Sequence, residues 1–274
     1  MDTSNKDMPL EERFQFGENW ARFLKTLDDE RIAEAEKSLR DMLHVENLTG
    51  RTFLDIGNGS GLFSLAARRL GATVHSFDFD PNSVACAEEL RRRYFPDDPN
   101  WQVERGSALD REFMKRLGHF DIVYSWGVLH HTGHMWEALA NAGERVAPGG
   151  ILFIAIYNDQ AGTSRRWLKV KKAYVKSPKP MRAVILAASL ATIWGPQTVY
   201  DLLRGKPNHL WRTYKKDRGM SPWINLVDWI GGYPFEVAKP EQIFEFYKAR
   251  GFELVKMKTC GGGMGCNEFV VKKI

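Results

Sequence analysis

Glycines alternate with other residues in the segment FLDIGNGSG, directly after a short apolar run. They are Gly57, Gly59 and Gly61, and Asn58 lies between the first two. Because glycine has no Cβ atom, such a turn adopts backbone angles that other residues avoid and lets a ligand lie against the main chain. A second apolar run ends in Asp78, about 20 residues further on, where a carboxylate can accept hydrogen bonds from ribose hydroxyls. Together these features predict a site for a ligand that contains adenosine.

The spacing of the glycines distinguishes between two classes of nucleoside ligand. The dinucleotide fingerprint GxGxxG requires its third glycine where this chain has Leu62, so the pattern GxGxG fits better. A nicotinamide-dependent dehydrogenase remains the rival among enzymes that bind an adenosine-containing cofactor.

Two adjacent histidines, His130 and His131, follow the apolar run FDIVYSWGVL. Imidazole titrates near neutral pH and can accept the proton of an alcohol or phenol, so both are candidate catalytic bases. We prefer His131, because Thr132 and Gly133 follow it in a predicted loop. The alternative is that one or both imidazoles serve only packing or structural hydrogen bonds.

Short β-branched and aromatic runs alternate with helical stretches from residue 52 onward, which is typical of βα units around a parallel sheet. The predicted strands cover 52–56, 73–77, 101–105, 120–125, 151–157, 252–259 and 266–273. The predicted helices cover 28–43, 61–70, 81–93, 110–117, 134–146 and 240–250. The turn GGGMG between the last two strands predicts a hairpin, so we expect the last strand to be antiparallel to the one before it.

This rhythm divides the chain into three parts. Residues 1–50 are expected to form an N-terminal cap and helix, and residues 51–157 with 238–274 the ligand-binding core. Residues 158–237 interrupt the βα pattern and are expected to form a helical insertion. Its apolar run, residues 183–194, is expected to be too short to span a bilayer. Two interpretations stay open: a helical cap over the active site, or peripheral membrane contact through residues 165–218.

Four features in order, DIGNGSG, Asp78, FDIVYSWGVLHH and RVAPGG, resemble the class I S-adenosylmethionine-dependent methyltransferases over roughly residues 50–157 and the terminal hairpin. The resemblance implies a Rossmann-like α/β fold: a seven-stranded, mostly parallel sheet with an antiparallel last strand. It also implies S-adenosyl-L-methionine as cofactor and S-adenosyl-L-homocysteine as product. In that family the acid matching Asp55 and the glycine turn cradle the methionine part, and the acid matching Asp78 holds the ribose. Ser107 stands where the family often has an acid beside the adenine.

The expected site has a cofactor part and an acceptor part. The expected cofactor-binding residues are Asp55, Gly57, Asn58, Gly59, Gly61, Asp78, Phe79, Ser107, Ala108, Ser125 and Trp126. The expected acceptor contacts come from the aromatic N-terminal segment, the end of the fifth strand, the segment DWIGGYPFE and the terminal hairpin: Phe16, Trp20, Tyr157, Asp228, Tyr233 and Asn267. Similar methyltransferases of quinone and natural-product biosynthesis build substrate caps at the place of this insertion.

Composition constrains the fold, the partners and the location less tightly than the motifs do. With 274 residues, 43% of them hydrophobic, the chain suits one large domain or one domain with an insertion. A net charge of +5 needs no nucleic-acid partner, and none is expected. The polar, acidic N-terminal segment predicts a cytoplasmic or membrane-peripheral protein. Three cysteines without CxxC spacing predict no metal site.

The expected reaction is methyl transfer to an oxygen, and less so to nitrogen or carbon, of a small, amphipathic or lipid-like molecule. Oxygen is preferred because the site offers a histidine base. The alternatives are an RNA or protein methyltransferase and a non-catalytic regulator that binds S-adenosylmethionine.

Overall fold

One seven-stranded sheet organises the computed structural model, which describes residues 8–9, 12–14, 16–206 and 222–274. In sheet order 3-2-1-4-5-7-6, its strands are β1 (Thr52–Ile56), β2 (Thr73–Asp78), β3 (Trp101–Arg105), β4 (Phe120–Trp126), β5 (Val146–Tyr157), β6 (Phe252–Lys258) and β7 (Cys266–Lys273). Strands β1 to β5 pair in parallel, and β7 pairs antiparallel with both β5 and β6. The predicted Rossmann-like sheet with an antiparallel last strand is confirmed.

Ten described α-helices surround this sheet. They are α1 (Phe16–Leu24), α2 (Asp29–Leu43), α3 (Leu62–Arg69), α4 (Pro81–Tyr94), α5 (Arg111–Arg116), α6 (Met135–Glu144), α7 (Gly162–Lys176), α8 (Lys179–Leu203), α9 (Pro222–Gly231) and α10 (Pro240–Lys248). Capping residues mark where several helices begin. The Asp28 carboxylate accepts a hydrogen bond from the N–H of Arg31, and the Asp80 carboxylate accepts one from the N–H of Asn82. The helices of the core therefore begin close to where their caps predict.

Strand β5 is the one clear departure from the predicted boundaries. It begins at Val146 rather than at residue 151, because Val146 pairs with Phe120 before the register shifts. The intervening Pro and Gly residues suggest a turn when they are considered alone. They form an irregularity within the strand, in which Gly149 has a φ of +75°, and regular pairing with β4 resumes at Ile151.

The core consists of two apolar layers, one on each face of the sheet. Phe53 packs with α2 and α3 on one face, and its neighbour Leu54 packs with α6 and α10 on the other. This alternation is typical of a parallel strand that is covered on both faces. A smaller cluster joins α7, α8 and α9 around Tyr174, Leu226 and Ile230.

Helix α8 contains the apolar run of the insertion and has 25 residues. Within the described ranges it is the one helix that is long and apolar enough, by length and composition, to cross a membrane. The expectation that this run is too short is therefore wrong as to length, because the helix continues through Pro196 to Leu203. Val184, Val199 and Leu203 are exposed on it. The predicted insertion also includes residues 207–221, which lie outside the described residues.

Candidate functional site

A cleft of about 570 Å³ opens at the carboxyl ends of β1, β2, β4 and β5. This is the edge at which open α/β sheets bind ligands. The cleft has one polar part next to the glycine turn and one aromatic part between the sheet and helices α1, α8 and α9.

The glycine turn forms the floor of the polar part. Gly57 has a φ of +73°, and a Cβ atom there would lie 2.3 Å from Cγ1 of Val128, so no other residue fits without a rearrangement. The N–H of Gly59 donates to Oδ2 of Asp78 at 3.0 Å, and the N–H of Asp80 donates to Oδ1 of Asp78 at 2.9 Å. These bonds hold the Asp78 carboxylate at the rim, where burial raises its pKa to about 6.

A second carboxyl group, Asp55, lies deeper in the polar part. It is 2% exposed and accepts a hydrogen bond of 2.5 Å from the hydroxyl of Ser64. Burial raises the pKa of Asp55 to about 7, and the charge of Asp78 adds to the effect. A cationic ligand group placed beside Asp55 would favour its ionised form and be held by it.

Asn58 provides an amide that is ready for a ligand. It lines the cleft, is 7% exposed, and both its Oδ1 and Nδ2 atoms are buried without a hydrogen-bond partner among the described residues. Because buried polar atoms are almost always bonded, this amide fits a ligand that offers both a donor and an acceptor. An amino-acid group of a ligand has both.

The opposite wall of the polar part suits a flat ring. Phe79, Ser107 and Ala108 line it, and the Ser107 hydroxyl accepts from the N–H of Leu109 at 3.0 Å. Arg13 lies over the Phe79 ring with its Cζ atom 5.0 Å from the centroid. A planar base would lie here between apolar and cationic surfaces.

Four expected acceptor residues line the cleft: the aromatic residues Phe16, Trp20 and Tyr157, and the acid Asp228. The Trp20 indole covers the glycine turn: a Cβ atom on Gly59 would lie 3.0 Å from its Nε1. The aromatic part therefore begins directly above the polar part.

His131 lies where the two parts meet. Its ring lines the cleft, lies 5.0 Å from the ring of Phe16, and its Nδ1 lies 2.6 Å from the carbonyl oxygen of Pro234. Since a carbonyl only accepts, Nδ1 carries the proton and Nε2 is left as an acceptor. Burial lowers the pKa of His131 to about 3, so the ring is neutral at physiological pH.

His130 does not reach the cleft. Its ring stacks 3.9 Å from that of Tyr157, and its Nδ1 accepts from the Tyr157 N–H at 3.4 Å. Burial lowers the pKa of His130 well below its ordinary value. Of the two candidate bases, the structure brings the preferred His131 to the cleft, whereas His130 packs behind it.

Two expected cofactor residues are also used elsewhere. The Ser125 hydroxyl is fully buried and donates to the carbonyl of Ile56 at 2.9 Å, whereas its neighbour Trp126 lines the cleft. Gly61 packs helix α3 against α4, since a Cβ atom there would lie 2.7 Å from the Cα of Ala87. Neither Ser125 nor Gly61 is among the residues that line the cleft.

Two expected acceptor residues serve the scaffold instead. The carbonyl of Tyr233 accepts from the N–H of Phe14 at 3.0 Å, and the residue does not line the cleft. Asn267 is buried, accepts from the N–H of Cys260 at 3.1 Å and donates to Oδ1 of Asn158 at 3.1 Å. Its neighbour Glu268 faces the cleft in its place.

Several lining residues have no motif in the sequence. Arg13 donates to the carbonyl of His131 at 2.8 Å and ties the N-terminal segment to the histidine loop. Trp229 of α9 lines the aromatic part, and Trp194 of α8 lies across from the sheet. The density of aromatic residues in the insertion is the sequence signal for the two tryptophans, and Arg13 has no such signal.

Known proteins resemble the chain over the sheet that carries this cleft. Residues 54–152 match a family model described as a methyltransferase domain. The tRNA U34 carboxymethyltransferase of Klebsiella pneumoniae strain 342 is 34% identical over 117 residues, which is 42% of this chain and 34% of that protein. The enzyme of the same name from Pseudoalteromonas translucida is 34% identical over 111 residues, 40% of this chain and 33% of that protein. The matched part is about a third of the length of these relatives.

Solved structures share the fold at lower identity. Magnesium protoporphyrin IX methyltransferase from Synechocystis PCC 6803, with bound S-adenosylhomocysteine, superposes with a TM-score of 0.54 at 14% identity and covers 94% of each chain. N-methyltransferase NodS from Bradyrhizobium japonicum WM9 gives 0.52 at 16% identity, over 94% of this chain and 98% of its own.

The expectation that nucleic acid plays no part is wrong. The curated relatives at 34% identity are named as tRNA-modifying enzymes, so the modest positive charge was no reason to set nucleic acid aside. The charge of the whole chain is a poor guide here, because acids elsewhere on the surface offset locally clustered cations.

Proposed function

Because the chain is a class I S-adenosylmethionine-dependent methyltransferase, we propose that it moves the methyl group of this cofactor to a nucleobase of RNA. The observation that carries the acceptor class is a stripe of exposed cations along α7, added to the similarity to tRNA-modifying enzymes. We call this set, Arg165, Lys169, Lys172 and Lys176, the α7 stripe.

The cofactor supplies a methyl group on a sulfonium, which a nucleophile displaces in line. We assign Asp78 to the ribose hydroxyls, and Asp55 with Asn58 to the ammonium and carboxylate of the methionine part. Phe79 and Ser107 would flank the adenine. The orphaned amide of Asn58 supports this assignment, since both its atoms need the partners that an amino acid provides.

The α7 stripe supports an anionic polymer as partner. Its four residues are spaced by four, three and four positions, so they lie on one face of α7, and all are exposed. Helix α7 contains no Asp or Glu. Its N-terminal end lies beside the terminal hairpin, because Nε2 of Gln160 donates to the carbonyl of Gly262 at 3.0 Å. Cys260 and Cys266 at the base of that hairpin line the cleft. Phosphates along α7 would thus approach the cleft entrance.

The aromatic part of the cleft supports a flat acceptor. A base turned out of an RNA strand stacks on aromatic rings, and Phe16, Trp20 and Tyr157 offer such faces beside His131. The neutral Nε2 of His131 would accept a hydrogen bond from the base and orient it. Alignment of this kind supplies much of the rate of a displacement reaction.

A second candidate is methyl transfer to an oxygen of a free small or amphipathic molecule. It is favoured by Ile193 and Trp194 of α8, which line the cleft from the side opposite the sheet and enclose it. Such a cover suits a free molecule better than a folded polymer.

The test follows tritium from methyl-labelled S-adenosylmethionine into unfractionated tRNA, free nucleosides and a panel of phenols and alcohols. We expect RNase-sensitive label in tRNA. The variant Arg165→Gln/Lys169→Gln/Lys172→Gln/Lys176→Gln should lower kcat/KM for tRNA by at least about tenfold and flatten its salt dependence. The control Lys239→Gln/Lys248→Gln removes exposed cations at the two ends of α10, away from the cleft lining, and should leave kcat/KM unchanged.

Other outcomes select other functions. Label in a phenol or alcohol alone would establish the second candidate. Calorimetric binding of S-adenosylhomocysteine without turnover on any acceptor would favour a regulator. Tighter binding of NAD than of S-adenosylhomocysteine would remove the methyltransferase assignment.

A further inference from the structure

Lys171 is the one cation of α7 that points into the protein. Its side chain is fully buried, whereas the adjacent Lys172 is exposed. Burying an ammonium group costs free energy unless its surroundings replace the interactions it makes with water. The contacts of Lys171 therefore call for an explanation.

Aromatic rings and a carbonyl replace water around this group. The Nζ atom of Lys171 lies 4.2 Å from the ring centroid of Trp229, 4.7 Å from that of Phe235 and 5.8 Å from that of Tyr157. It also donates to the backbone carbonyl of Trp229. Ring faces attract a cation most strongly when both are desolvated. Burial lowers the pKa of Lys171, and the nearby carboxylate of Asp228 acts in the opposite direction.

The rings that hold Lys171 also form part of the cleft. Tyr157 and Trp229 line the aromatic part, and their centroids lie 4.8 Å apart at an interplanar angle of 86°. Lys171 itself does not line the cleft. Lys171 therefore lies behind the residues that line the cleft. Its Nζ atom contacts Trp229 of α9 and Tyr157 at the end of β5, and so links α7 to both elements.

We propose that Lys171 is a positioning residue for the methyl acceptor, because it fixes the rings of Tyr157 and Trp229 in the orientation against which the acceptor stacks. The inference rests on the proposed methyl transfer. It concerns the acceptor part alone, so cofactor affinity should not depend on it.

A purely structural role makes the opposite prediction for two substitutions. Methionine matches the length of lysine and fills an apolar pocket without the cost of a buried charge, so packing alone favours Lys171→Met over Lys171→Arg. Positioning by a cation favours Lys171→Arg, which keeps the charge and the attraction to ring faces. Which of the two variants is less impaired decides between a structural and a positioning role.

The experiment uses the full chain labelled with 5-fluorotryptophan, with the Trp229 resonance assigned from Trp229→Phe. In Lys171→Met we expect that resonance to broaden and the KM for unfractionated tRNA to rise at least about fivefold, with S-adenosylhomocysteine affinity kept within about twofold. Lys171→Arg should lie closer to the wild type on both measures. Lys248→Met is the control, since it removes an exposed lysine whose Nζ lies 5.3 Å from the Phe244 ring.

An unchanged Trp229 resonance together with an unchanged KM in Lys171→Met would overturn the inference. So would a Lys171→Arg variant that is more impaired than Lys171→Met. If Lys171→Met misfolds and loses S-adenosylhomocysteine binding, the variants Lys171→Arg and Trp229→Phe test the inference in its place. A normal KM for tRNA in Trp229→Phe would then overturn it. If wild-type protein methylates no RNA, the proposed acceptor fails, and the fluorine spectra alone decide the role of Lys171.

Discussion

Gly232 lies against the imidazole edge of His131. A Cβ atom added to Gly232 would stand 2.8 Å from Cε1 and 3.4 Å from Nε2 of that ring. Pro234 holds the other side of the ring through Nδ1 at 2.6 Å. The segment DWIGGYPFE thus sets the position of the imidazole from two sides, and the glycine leaves its acceptor atom uncovered.

Gly232→Ala should displace the ring and slow methyl transfer. The new methyl group stands too close to Cε1 to be accommodated without a shift of the imidazole. We expect kcat to fall roughly tenfold, since small misplacements of aligned groups are costly, while S-adenosylhomocysteine affinity measured by calorimetry stays unchanged. Gly195→Ala is the control, because a Cβ atom there meets nothing within 4 Å. An equal loss in both variants would contradict the role of Gly232.

His131→Ala should lower kcat by roughly 10- to 100-fold with little effect on cofactor affinity. Because burial lowers the pKa of His131 to about 3, the ring stays neutral at neutral pH, and its Nε2 acts as a hydrogen-bond acceptor. His131 should therefore contribute no inflection to the pH profile of wild-type kcat near pH 6.5, the ordinary pKa of histidine. Initial rates from about pH 5.5 to 8.5 test this, with the exposed His119→Ala as control. A limb near pH 6.5 that disappears in His131→Ala would refute a neutral acceptor.

Asp78→Asn should weaken S-adenosylhomocysteine binding by roughly 1.5–3 kcal/mol if charge-assisted bonds to ribose are lost. Asparagine keeps an oxygen for the N–H of Gly59, so the turn should survive and the loss should report on the ligand. Calorimetry measures it, and Asp41→Asn, at an exposed carboxylate of α2, provides the control. Unchanged affinity in Asp78→Asn would remove the ribose assignment.

Much of the fold could be predicted because its signals are local. Asp28, Asp80 and Asp110 each cap a helix in the structure, and a capping carboxylate is visible in the sequence. The start of β5 could not be predicted in the same way. Only the pairing of Val146 with Phe120 on another strand shows that the strand includes the Pro-Gly segment.

The site was predictable as a location but only partly by side chain. Successive strand residues face opposite sides, so either Ser125 or Trp126, and either Asn267 or Glu268, could have faced the cleft. Which one does so depends on the register of each strand in the sheet. Nothing in the sequence distinguishes Lys171 from the other cations of the insertion, because its burial comes from Trp229 and Phe235, about 60 residues away in the chain.

Asp55→Asn should stabilise the ligand-free protein, and more so at alkaline pH. Burial raises the folded-state pKa of Asp55 to about 7 from 3.8, so the folded state binds a proton more tightly than the unfolded chain does. Its contribution to stability is then fully present below pH 3.8 and is lost as the pH rises through about 7. Asparagine has no such loss, so the difference in unfolding free energy between variant and wild type should grow by up to about 1.4 kcal/mol per pH unit in this window. Urea unfolding at about pH 5 and pH 8 measures it, with Asp41→Asn as the exposed control. A difference that is constant with pH would show that Asp55 is ionised throughout, and its carboxylate would then need a stabilising partner other than Ser64.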